Sequence, residues 1–146
     1  MTPFSKLSAA IQAKLQTMEL MTGVALIQED AGDVPTMIEK HVGRVGMGAL
    51  LGTPGFGNED PLCNVINGRI KVDILFMEVP ALWRKTADKP HCCDLAQAAG
   101  AELQGLAIDG FEPLRVLRGE PVADKEIGPV GLYRLELETM QIFDAS

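Results

Sequence analysis

Cysteine and histidine are scarce in this chain, with three of the first and two of the second among 146 residues. Cys63, Cys92 and Cys93 are odd in number and irregular in spacing, which excludes a disulfide framework. No Cys-x-x-Cys pair occurs, so no zinc ribbon or redox pair is written in the sequence. Positive charge is also short: 13 Lys and Arg stand against 20 Asp and Glu, a formal net charge of −7. Affinity for a nucleic-acid backbone rests on clustered cations; here they are scattered, and only Arg115 and Arg118 suggest a local patch, which reads better as a solvated strand end. No apolar run approaches the roughly 20 residues of a membrane span. The opening residues, Met-Thr-Pro-Phe-Ser-Lys-Leu, lack the basic and apolar regions of a signal peptide. A soluble, intracellular protein without disulfides is the expectation.

Motif chemistry is missing as well. Gly46, Gly48 and Gly52 do not form G-x-G-x-x-G, and no Gly-Lys-Ser/Thr or G-x-S-x-G occurs. Glu29, Asp30 and Asp33 crowd one turn without EF-hand spacing, so a solvated turn is expected rather than a metal site. His91-Cys92-Cys93 falls at the start of a helix, where successive side chains diverge by about 100° and cannot converge on one ion. A helix N-terminus lowers a thiol pKa, which leaves one of the two cysteines open to reaction. A Cys-His pair built from Cys92 or Cys93 with His41 is the one enzymatic alternative, and residue type alone supports it. No catalytic, cofactor or metal residue is assigned.

What the chain does have is apolar content, 47%, and periodicity. A run of 146 residues suffices for one self-standing domain, residues 1–146. From Gly68 to Val79, Ile70, Val72, Ile74 and Phe76 share one face of a strand. Arg69, Lys71 and Asp73 share the other, which then turns apolar at Leu75 and Met77. This predicts a central strand, with its far end covered on both sides or used by a partner; Pro80 stops the pairing. A second long strand, 130–143, alternates Tyr133, Leu135 and Leu137 with Arg134, Glu136 and Glu138, placing the last three in water. Antiparallel pairing of the two makes the spine of a sheet.

Helices are predicted over 3 to about 21 (capped by Thr2, with Leu7, Ile11, Leu15 and Met18 inward), from Asp33 through Val42, and over 90–106. Shorter strands are predicted over 24–28, 45–51 and 114–117, with a turn at 118–121. The class is α+β: a mostly antiparallel sheet with helices packed on one face. Residues 52–67, rich in Gly, Pro and Asn, read as one long loop carrying Phe56. That aromatic, and the corner Leu82-Trp83-Arg84 after the central strand, are the candidates for contact with a second subunit or partner.

The order of these features resembles a known family. A helix leads to a strand ending in Glu29-Asp30-Ala31-Gly32-Asp33, then Val34-Pro35-Thr36-Met37-Ile38-Glu39 as a short helix. A Gly/Pro loop follows, then the long strand into Glu78-Val79-Pro80 and Arg84, an Ala-rich helix, and a last strand with Gly128 and Tyr133. From about residue 10 to 143 this is similar to the tail-terminator and tail-completion proteins of tailed phages and prophages. Lys85-Thr86-Ala87-Asp88-Lys89 departs from the glycine-bearing segment expected there. The resemblance implies a structural protein without a cofactor, a homo-oligomeric ring, commonly a hexamer. The ring would cap the tail tube, end its growth and present a surface to the head–tail connector. Its partners would be itself, the tube protein and the connector, and its place the host cytoplasm during assembly and then the virion tail. Another connector or minor tail protein is the near alternative.

Overall fold

The computed structural model describes residues 2–29, 33–56, 69–83, 89–122 and 131–142, with the backbone alone at residues 34, 41, 80 and 81. Helix α1, Pro3–Gln16, begins where expected: Thr2 accepts the Ser5 N–H on its hydroxyl at 3.3 Å and Pro3 occupies the first turn. Leu7, Ile11 and Leu15 are fully buried along its inner face. It ends five residues short of the predicted limit. Both the Thr17 N–H and the Thr17 hydroxyl bond the Lys14 carbonyl, at 3.2 and 2.6 Å, and tighten the last turn. A 3₁₀ turn, Glu19–Met21, then keeps Met18 and Met21 in the core.

The sheet is organised about β4, Arg69–Glu78. The remaining strands are β1 (Ala25–Gln28), β2 (Met47–Leu51), β3 (Gly55–Phe56), β5 (Arg115–Pro121) and β6 (Gly131–Met140). Their order is β1-β2-β4-β6-β5, with β3 also on β4. Among the described residues only β1 and β2 run parallel. They are joined by a helical crossover made of α2 (Val34–Met37), a π turn (Ile38–Val42) and α3 (Gly43–Val45). β4 and β6 stay in register from Arg69 opposite Met140 to Glu78 opposite Gly131. The predicted spine is therefore present over its whole length.

On one face Ile70, Val72, Ile74 and Phe76 are at most 2% exposed. They share a core with α1 and with α5, Cys92–Leu103. On the other face the strand divides as its sequence does. Met77 and Leu75 pack with Ile27, Val42, Leu132, Met37 and Ile38. The apolar far end of β4 is thus covered on both sides, and the crossover is its second cover. Lys71 and Asp73 remain exposed. The fold is α+β, with the two long helices together on one face as expected and the short crossover capping one end of the other.

Three local readings change. Residues 118–121 are strand, because β5 runs on through a bulge between Val116 and Arg118 and reaches Pro121. The long loop is shorter, because Gly55–Phe56 rejoins β4 as β3. From Leu51 opposite Ile74 to Gly55 opposite Lys71 the chain takes one more step than β4 does, the signature of an inserted residue. After β4 a single turn, α4 (Pro80–Trp83), follows at once, with the Leu82 and Trp83 N–H groups on the Val79 carbonyl. Gly48 explains the glycines of 45–51: a Cβ there would strike Val42 of the crossover.

Candidate interaction surfaces

Phe56 projects from β3 and is 61% exposed. Its neighbour in its own chain is Phe4 of α1, tilted at 57° with ring centroids 5.9 Å apart. Its partner across the ladder, Ile70, is buried, so the exposure belongs to the rim of the sheet rather than to a loose segment. Leu82 is half-buried and Trp83 is 3% exposed. The Trp83 indole N–H donates to the Pro90 carbonyl at 2.8 Å, and the Lys89 ammonium lies 4.3 Å over the ring. Within one protomer Trp83 therefore serves the core, and Leu82 is what α4 leaves partly open. Arg84 lies outside the described residues.

The uncapped half of the second sheet face is a ladder of ion pairs. Glu138 takes Arg69 at 2.7 Å and Arg115 at 3.4 Å. Both oxygens of Glu136 accept from one edge of Arg118, from Nε at 2.7 Å and Nη2 at 3.2 Å. Glu120 lies 3.9 Å from Arg118 and 3.8 Å from Arg134. This corrects the expectation that Glu136 and Glu138 are simply solvated. Register sets the cross-strand arginines beside them, and the Glu138 side chain keeps only 9% of its exposure. The hydrogen bond from Arg118 holds the Glu136 carboxyl below its ordinary range, while burial and then Glu136 itself push Asp73 up. Arg115 and Arg118 consequently do not form a free basic patch.

At the opposite end of β4 the Glu78 side chain is buried and faces the His91 imidazole Nδ1 at 3.4 Å. Asp94 accepts the His91 N–H at 2.9 Å and caps α5. Cys92 sits in the same pocket. Burial, then the Glu78 charge, push its thiol up to about 11. The helix N-terminus, expected to lower the pKa of one of the two cysteines, is outweighed at this one. Cys93 is exposed and Cys63 lies outside the described residues. His41 belongs to the crossover on the other side of the sheet from α5, so topology separates it from both helix cysteines. Among the described residues no group of three potential ligands is arranged for a metal. In the acidic turn, Glu29 accepts the Thr53 N–H at 3.1 Å and Asp33 accepts the Thr36 hydroxyl at 2.7 Å, so both carboxylates serve the fold.

A surface that the sequence did not announce lies between α5 and the β5 edge. It is a groove of about 530 Å³ with a mixed lining: Ala101, Val116 and Tyr133 are apolar, Asp94 and Gln97 are polar, and Ala96 and Gly100 beneath them are buried. It exists because the helix side chains facing β5 are small. That the Ala-rich row of the helix leaves a furrow depends on β5 extending past Leu117, which the sequence does not reveal. No helix of the described residues is long and apolar enough to cross a membrane.

Scans against protein families and against curated proteins return no match. Among solved structures, a chain from the virion of a native gene transfer agent (GTA) particle is similar, with a TM-score of 0.63 at 14% identity. The likeness covers 97% of this chain and 98% of that one, so the two share one fold from end to end.

Proposed function

We propose that this chain is a structural subunit of a phage-like particle, and that it acts as a tail-terminator or tail-completion protein. The observation that carries the reading is the end-to-end likeness in fold to a chain of a GTA virion. It joins, by a separate route, the sequence resemblance to phage tail-terminator proteins. In this reading copies of the chain close into a ring, commonly a hexamer, that caps the tail tube and meets the head–tail connector. The partners are the chain itself, the tube protein and the connector, and the location is the virion tail.

The role involves no catalysis and no cofactor. The raised Cys92 thiol and the placement of His41 across the sheet weigh against a thiol enzyme built from them. The experiment is light scattering after size exclusion over a concentration series, with negative-stain images of the largest species. A closed ring with a central opening is the expected result. A monomer at every concentration, with or without purified tail tubes, would overturn the ring.

A further inference from the structure

We infer that Phe56 of one copy seats in the α5–β5 groove of the next, joining the copies head to tail. The inference rests on the ring reading and names its contact. Among the described residues Phe56 is the most exposed large apolar side chain. An aromatic of this kind buries about 150–250 Å² when covered. The groove, about 530 Å³, has room for a phenyl ring and its flanking backbone. Ala101 and Val116 offer apolar surface with little side-chain bulk above the buried Ala96 and Gly100, Tyr133 offers an aromatic edge, and Asp94 and Gln97 form a polar side.

The placement of the two features is what gives the contact its direction. All ten residues of β4 pair with β6 on one edge, so β3 holds the edge that β2 also uses. Phe56 therefore lies on the β2 side, next to α1. The groove lies on the other side, over β6 and β5 and against α5. A knob and a socket on opposite margins cannot satisfy one another across a single twofold contact. They repeat by rotation, and the rotation closes into a ring or opens into a filament. Backbone pairing through the β5 edge is a poor substitute. The Gln104 side chain already accepts the Val116 N–H at 2.8 Å, a bulge follows, and Pro121 has no N–H to give.

Two variants at exposed positions test this: Phe56→Asp removes the knob and Ala101→Trp fills the socket. Each is expected to keep the far-UV spectrum and melting temperature of the unaltered chain. Each is expected to raise the midpoint concentration of assembly by about thirtyfold or more, the loss typical of an interface hot spot. Mixed together they are expected to form a one-to-one heterodimer and nothing larger, because only one intact knob faces one intact socket. Native mass spectrometry reads that species directly. Rings formed normally by either variant, or a mixture that stays monomeric at the highest concentration, would overturn the contact while leaving the ring. An unaltered chain that never assembles would overturn the ring reading and the contact with it.

Discussion

Cys92 and Cys93 are neighbours in sequence with opposite chemistry. One points into the pocket beside Glu78 and the other into solvent. A thiol raised to about 11 is ionised in roughly one molecule in a thousand at pH 8, and only the thiolate attacks. Iodoacetamide at pH 8 is therefore expected to label Cys93 of the native chain and to leave Cys92 unmodified until the protein unfolds. Peptide mass mapping before and after denaturant checks this, and native-state labelling of Cys92 at the rate of Cys93 would contradict the pocket. Residue type and helix position alone left open which of the two is the reactive one. What decides it is burial and, after that, a carboxylate from β4, fourteen positions earlier in the chain, and no local pattern announces either. The same holds for Glu136 and Glu138. Their alternation placed them on the polar face correctly, but their arginines come from β5 and β4, so whether they face water or cations is a matter of register.

At the scale of elements, long periodic segments were legible and short ones were not. Ten alternating residues in β4 and ten in β6 specify a face each, and a slip by one residue would bury charge, so both strands stand where their pattern puts them. β3 has two residues and α4 has four, too few for either period to show. β5 was cut short because Arg-Gly-Glu-Pro reads as a turn. Pairing with β6 and an edge position allow both its Gly and its Pro. Sequence reasoning singled out Phe56, which is exposed, and did not reach the groove, which no single element contains. The joint between α3 and α4 shows how tightly the elements are fitted. Gly46 has a φ of +88°, and a Cβ there would run into the Trp83 backbone. Gly23 has a φ of +82° with open space around it. Gly23→Ala is expected to cost the backbone term, about 1–3 kcal/mol. Gly46→Ala is expected to cost more, since a backbone neighbour must also move. With about 2–4 °C per kcal/mol for a chain of this size, paired thermal melts separate the two. Equal melting temperatures would mean that α4 moves freely against α3.

For the whole molecule the deciding balance is between its net charge and its apolar rim. Each copy carries a formal −7, so bringing copies together costs like-charge repulsion that falls as salt shortens the Debye length, from about 30 Å at 0.01 M to about 8 Å at 0.15 M. An apolar contact such as Phe56 in the α5–β5 groove is not weakened by that screening, and salts excluded from protein surfaces strengthen it. A contact made instead by exchanging partners in the Arg–Glu ladder of the open sheet face would weaken as salt rises. The two contacts therefore predict opposite slopes. With the apolar contact, raising salt from 0.01 to 0.5 M is expected to lower the concentration at which copies assemble, and Phe56→Asp to raise it by about thirtyfold or more at every salt. Sedimentation velocity across that range reads the slope, and a ring that dissolves as salt rises would move the interface from the rim to the ladder. The acidic surface has its own use in this scheme. In the proposed ring it would hold free subunits apart in dilute solution and leave a short apolar contact to govern when they join.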